Sequence, residues 1–313
     1  MTRIAVIGGG RIGEALVSGL LQSGFATKDL VVVEKFPARS EELTAEYSIR
    51  VTDSIADAAE GADVLVIAVK PGDVDVVLAD LGKADLDSER EKLLMSLVAG
   101  VPTSRYENRL PAGSPVVRVM PNTPMLVGEG ASVIAAGRHV KPDHLALARE
   151  VLESVGTVTV VPESQIDAVT AVSGSGPAYF FLVAEAMIDA GVALGLTRAT
   201  TTELVVQTMT GSAAMLARSG GERRRPARGG DIAGWNHRGG DPGTRARRRA
   251  DGVLRGPRGR PGPLCGTRFV RRLRKLVVRI VAREPLVTLS SIEHVRVCSA
   301  GGEAGGAGRA GGV

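Results

Sequence analysis

Six residues near the start of the chain, Gly8-Gly9-Gly10-Arg11-Ile12-Gly13, have the types and spacing for phosphate chemistry. They follow a short apolar, partly β-branched run, Ile4–Ile7, and lead into apolar positions at helical spacing: Ile12, Ala15, Leu16, Gly19 and Leu20. Between a strand and a helix the G-x-G-x-x-G pattern has a physical reading. Gly8 permits the tight turn, Gly10 lets the backbone approach a pyrophosphate, and Gly13 lets the helix pack closely on the strand. The unpaired N–H groups and positive dipole end of the helix then face the phosphates. The spacing predicts a dinucleotide site at Gly8, Gly10, Arg11, Ile12 and Gly13; a purely structural turn is the alternative.

Three further segments carry polar groups at the ends of apolar runs. Glu34-Lys35 closes the run Leu30–Val33, about 20 residues beyond the last glycine, where an acidic residue accepts ribose hydroxyls and favours NAD. Lys35 and Arg39 offer the opposite preference, because cations there would hold the 2′-phosphate of NADP. Lys70-Pro71 closes Val64–Val69, and Met120-Pro121-Asn122-Thr123-Pro124 closes Val116–Met120. Ser173-Gly174-Ser175-Gly176-Pro177 precedes a long apolar stretch. Helix-start chemistry explains its serines and proline, but the glycines suggest that a ligand or backbone comes close.

Positioning these residues requires a particular architecture. Apolar runs at 3–8, 30–33, 64–69, 93–98 and 116–120 alternate with helical patterns, which predicts a doubly wound α/β domain with a parallel sheet covered on both faces. From Gln165 to Arg218 the strand signals stop. Ala178–Leu194 and Thr201–Leu216 are too apolar all round for ordinary surface helices, so a helical domain packed against a partner subunit is expected.

Charge divides the chain again. Residues 221–313 hold 20 Arg and 1 Lys against 7 acidic residues, a balance of +14, which leaves −9 for the first 220 within the total of +5. The acidic part gives no reason to expect nucleic acid. Both cysteines, Cys265 and Cys298, fall in the basic part, so disulfides, thiol catalysis and Cys-ligated metal are not expected before it. No uninterrupted apolar run reaches the roughly 18 residues of a membrane span, and a cytoplasmic location is the expectation. His139 and His144 lie in a polar segment and are read as surface residues.

Taken together, the motifs resemble the pyrroline-5-carboxylate reductase family. The resemblance rests on Gly8–Gly13, Ala68-Val69-Lys70-Pro71, Val119–Pro124, Val172–Tyr179, Glu185–Gly191 through Leu196, and Gln207–Ala213, in the family's order over residues 1–220. It implies a Rossmann domain over 1–162 and a helical dimerisation domain over 163–220, here incomplete. It also implies reduction of 1-pyrroline-5-carboxylate to L-proline with NADPH, NADH being possible, by a homodimer or larger homo-oligomer. By the same carry-over Ala68 and Val69 belong to the cofactor site, Lys70 and Pro71 line the nicotinamide end, Asn122 and Thr123 lie beside it, and Ser173, Gly174, Ser175, Gly176 and Pro177 border the substrate. No metal is implied.

The resemblance fails after residue 220. The family continues with a Thr-Ser-Pro-Gly-Gly-Thr-Thr loop that binds the substrate carboxylate, whereas this chain has Asp231-Ile232-Ala233-Gly234-Trp235-Asn236-His237 within an Arg/Gly/Pro-rich segment. Read one nucleotide later, the codons permitted for Pro226–His237 can spell Leu-Arg-Ala-Ala-Val-Thr-Ser-Pro-Gly-Gly-Thr-Thr. At Trp235 the shifted codon, GGA for glycine, is forced. A frameshift between about Arg218 and Pro226 is therefore expected, with 221–313 out of frame, of low complexity and without a fold. Two rivals follow: a catalytically impaired NAD(P)-binding protein, and an Arg/Gly-rich nucleic-acid arm, which the scarcity of aromatics (Trp235, Phe269) disfavours. A hydroxyacid dehydrogenase would need a lysine on a helix after the nucleotide domain, and none occurs between Lys141 and Lys275.

Overall fold

The computed structural model describes residues 2–83 and 91–218. The Arg/Gly-rich segment 221–313 and its expected lack of fold lie outside the described residues. Those described fall into two compact units, one running to Pro177 and one starting at Ala178.

In the first unit strands and helices alternate: β1 (Ile4–Ile7), α1 (Arg11–Gln22), β2 (Leu30–Val33), α2 (Pro37–Tyr47), β3 (Arg50–Thr52), α3 (Ile55–Ala59), β4 (Val64–Ile67), α4 (Val74–Leu81), β5 (Leu93–Ser96), α5 (Thr103–Glu107), β6 (Val116–Met120), β7 (Gly130–Ala136), α6 (Pro142–Glu153), β8 (Gly156–Val160) and α7 (Ile166–Val169). The strands form one sheet in the order β3-β2-β1-β4-β5-β6-β7-β8. The neighbours from β3 through β6 pair in parallel.

Burial on both faces explains the continuous apolar strands. Ile4 and Val6 pack with Leu16, Leu20, Val151 and Leu152 on one face. Ala5 and Ile7 pack with Ile55, Leu78 and Tyr106 on the other. Successive residues of a strand face opposite ways, so a strand covered on both sides must be apolar at every position. The predicted doubly wound fold is present.

The sheet is not wholly parallel, however. β7 runs antiparallel to β6, and β8 runs parallel to β7. Only nine residues separate β6 from β7, and a parallel crossover needs a dozen or more. The chain turns instead through a 3₁₀ segment, Thr123–Val127, closed by Gly128 at φ 75°.

After β8 comes a segment without counterpart in the sequence reading. Glu163–Gln165 forms a 3₁₀ turn, α7 follows, and Thr170–Gly174 is a single π-helical turn. Glu163 anchors its start, accepting from the Thr103 N–H at 2.7 Å and the Thr103 hydroxyl at 2.8 Å, with the buried Arg118 at 3.4 Å.

The helical domain expected over 163–220 has two long helices, α8 (Gly176–Ala193) and α9 (Arg198–Arg218). Within the second unit Asp189 pairs with Arg198 at 2.7 Å, and Gly191 lies against Thr201. Thr201 and Val205 are the buried residues of α9. Phe180, Phe181, Leu194, Leu204 and Val206 are exposed.

Candidate functional site

The order of the sheet reverses beside β1, whose neighbours are β2 and β4. Ligands of such sheets bind in the crevice that this reversal opens at the strands' carboxyl ends. The backbone there is tightly laced: Gly8 N–H donates to the Val33 carbonyl at 2.9 Å, and Ala68 N–H to the Ile7 carbonyl at 2.8 Å.

Gly8 has φ +112°, and a Cβ on it would stand 2.8 Å from the Ala68 oxygen. At Gly13 a Cβ would stand 2.0 Å from the Gly8 oxygen, so α1 can lie against the turn only without a side chain there. Gly10 differs. Nothing comes within 4 Å of where its Cβ would be. It precedes the first turn of α1, and no side chain of its own caps the helix's first N–H groups. A bare backbone beneath a helix N-terminus fits a pyrophosphate.

A cavity of about 550 Å³ opens beside the cradle, lined by Gly9, Gly10, Arg11, Glu14, Glu34, Phe36 and Arg39. Glu34 sits on its wall as expected, but its carboxylate already has three donors: Gly9 N–H at 3.1 Å, Lys35 N–H at 2.8 Å and Phe36 N–H at 3.0 Å. It therefore holds the glycine turn to the end of β2. Lys35 contributes its backbone to this knot, and its side chain is not among the lining groups.

Two cations, Arg11 and Arg39, line the cavity, and Arg39 is the one tied to the glycine turn. Its guanidinium donates to the Gly9 carbonyl at 3.0 Å, to Glu14 at 2.6 Å and to Glu42 at 2.9 Å. The hydrogen bond to Glu42, then Glu14, holds its pKa above the ordinary arginine value against the effect of burial. Glu14 and Phe36 are the lining residues that the sequence reading missed. Phe36 is 71% exposed, and a bare aromatic ring just past a strand end was the available signal.

Lys70 is exposed and leads the 3₁₀ turn Pro71–Asp73, accepting at its carbonyl from Asp73 N–H at 2.9 Å. Gly8 brings Ala68 and Val69 against the glycine turn. Thr123 is exposed at the start of its own turn. Asn122 uses its amide within the protein: Oδ1 accepts from Ala131 N–H at 2.8 Å, and Nδ2 donates to the Ser173 carbonyl at 3.1 Å.

The hydroxyls of Thr170 and Ser173 turn back onto the carbonyls of Ile166 and Val169, at 2.9 and 3.2 Å. Neither caps α8. The Ser175 N–H closes the π turn on the Thr170 carbonyl at 2.7 Å. Gly174 lies over Met120, whose methyl carbon would be 2.5 Å from a Cβ there. Gly176 and Pro177 open α8. His144 is committed elsewhere, accepting from Lys141 N–H at the start of α6, with Glu91 at 3.5 Å.

Another cavity, of about 220 Å³, lies at the opposite edge of the sheet, where Arg3, Lys28, Arg50 and Glu60 surround the first residues of β1 and β2. It shares no residue with the glycine turn.

Comparison with known proteins adds three results. Residues 163–228 match the family described as pyrroline-5-carboxylate reductase dimerisation, and residues 3–100 match NADP oxidoreductase coenzyme F420-dependent. The chain is 55% identical over 219 residues to pyrroline-5-carboxylate reductase of Mycobacterium tuberculosis, covering 69% of this chain and 74% of that protein. It is 46% identical over 222 residues to the Corynebacterium melassecola protein of the same name, covering 71% and 82%. Among solved structures, the Coxiella burnetii reductase matches with a TM-score of 0.69 and 30% identity, over 90% of this chain and 95% of that one. The Plasmodium falciparum enzyme with NADP bound matches with a TM-score of 0.68 and 26% identity, over 90% and 94%.

Proposed function

The chain belongs to the pyrroline-5-carboxylate reductase family, and on that premise we propose that it reduces 1-pyrroline-5-carboxylate to L-proline, with NADPH as donor and NADH as the alternative. The observation that carries the reading is the bare Gly10 cradle under α1, open beside a cavity at the sheet's switch point. The NADP bound to the Plasmodium falciparum relative supports NADPH.

When bound, the reduced nicotinamide supplies a hydride to the imine carbon. The chain's own residues bind and orient. Gly8, Gly10, Arg11, Ile12 and Gly13 take the pyrophosphate. Glu34 and Lys35 stand at the adenosine end, Glu34 by holding the turn. Ala68, Val69, Lys70, Pro71 and Thr123 line the nicotinamide end, with Asn122 beside them. Ser173, Gly174, Ser175, Gly176 and Pro177 border the substrate, and at Gly176, where nothing comes within 4 Å of a Cβ position, the wall leaves room for a flat ring to approach. Arg39 is the group placed for a 2′-phosphate, which would replace Glu14 as its anionic partner.

The exposed apolar side chains of α8 and α9, within the dimerisation match, support a homo-oligomer. By length and composition the run Glu163–Ala193 could also cross a membrane. Glu185 and the Asp189–Arg198 pair, costly in a bilayer, favour subunit contact, and a cytoplasmic enzyme is the consistent location.

The test is direct. The full chain should oxidise L-proline or thioproline with NADP⁺, followed by the absorbance of the reduced coenzyme. One observation favours a second reading, an impaired NAD(P)-binding protein: the match leaves about a quarter of the Mycobacterium tuberculosis relative without counterpart. Coenzyme binding without turnover would select it.

A further inference from the structure

We propose that Asn122 is a positioning residue whose amide sets the substrate-side π turn in register with the coenzyme-side loop after β6. The inference rests on the reductase reading above and adds a role for a residue that the family resemblance had placed beside the nicotinamide.

The geometry points to this through independent features. Asn122 stands where β6 ends, partly buried, with one amide atom on each of two segments. Oδ1 fixes it to Ala131 at the start of β7, and so to the sheet. Nδ2 then reaches 51 residues along the chain to the Ser173 carbonyl. That carbonyl belongs to the π turn Thr170–Gly174. A π turn is an expensive irregularity that recurs at functional positions. The Thr170 and Ser173 hydroxyls bond within this segment, to the Ile166 and Val169 carbonyls. The Asn122 amide ties it to the end of β6, and Gly174 is seated on Met120.

Hydride transfer needs the donor carbon and the imine carbon at near-contact distance, and displacement by about 1 Å can cost a hundredfold. A strut from the β6 loop to the wall of the substrate site controls that separation without touching either reactant.

Asn122→Asp isolates one arm. It keeps an oxygen for Ala131 N–H and puts a carboxylate against the Ser173 carbonyl. Asn122→Ala removes both arms. In hydrogen–deuterium exchange on the full chain, the aspartate variant should lose protection at the Gly174 and Ser175 amides while Ala131 stays protected. The alanine variant should lose both. In turnover, substrate KM should rise and kcat fall, roughly ten- to hundredfold in the ratio, with NADPH affinity within about twofold of the parent. Unchanged exchange at 174–175 would overturn the proposal. So would an equal loss of NADPH affinity, which would make Asn122 a coenzyme ligand. An inactive parent chain would count against the reductase reading alone, because the exchange pattern still decides whether the strut exists.

Discussion

A single carboxylate, Glu34, holds three backbone N–H groups, so its first task is to shape the turn that meets the coenzyme. Removing it as Glu34→Ala should weaken NADH and NADPH alike, by about tenfold, since charge-assisted hydrogen bonds contribute about 1.5–3 kcal/mol. Fluorescence titration with both coenzymes checks this; a loss confined to NADH would restore the ribose role. Arg39→Ala should do the reverse, raising the NADPH Kd about tenfold with NADH nearly unchanged. Gly13→Ala drives a Cβ into the Gly8 oxygen, 2.0 Å away and part of the backbone. It should cost about 1–3 kcal/mol of stability, seen as a lower Tm, and should abolish coenzyme binding. Spacing revealed where Glu34 and the glycines stand, because strand, turn and helix fix their places. It could not reveal the partners of Glu34 or Asn122, since one amide or carboxylate fits a ligand and a neighbouring N–H equally well.

Among the elements, the strands that a reader of the sequence finds are those buried on both faces. β3 has three residues, and β8 alternates Thr and Val at an edge with mostly exposed side chains, so neither makes an apolar run. β7, although mostly buried, was not among the runs read from the sequence, and its antiparallel direction follows from the shortness of its connection to β6. That reversal sets the start of β7 beside the end of β6, which brings Ala131 to Asn122. The Glu163 anchor has a measurable consequence. Burial opposes its ionisation, but the Thr103 N–H and hydroxyl and then Arg118 outweigh it and hold the carboxyl below its ordinary value of 4.5. A carboxyl lowered by folding contributes stability that is complete above the unfolded-state value and is lost as pH falls through the folded one. The Tm should therefore drop as pH falls below about 4.5. Glu163→Gln should lower the Tm at neutral pH and flatten that acid limb.

At the scale of the whole molecule, sequence reading located the change from alternating strands to apolar helices, and the helices are there. What it could not supply was the π turn between them, because five residues in a wider spiral have the same composition as five in a regular one. Restoring the reading frame near Pro226 should raise proline oxidation from the level of the chain as written to that of an ordinary family member. An intact gene encoding the Arg-rich segment as it stands would end the frameshift account. The bare sides of α8 and α9 have one more consequence. Two chains that cover each other's apolar helices are stabilised by mass action, so their melting depends on how much protein is in the tube, whereas a sheet with its own core melts at a fixed temperature. Calorimetry across a hundredfold dilution should resolve two transitions, the lower one sliding down as partners separate and the upper one standing still.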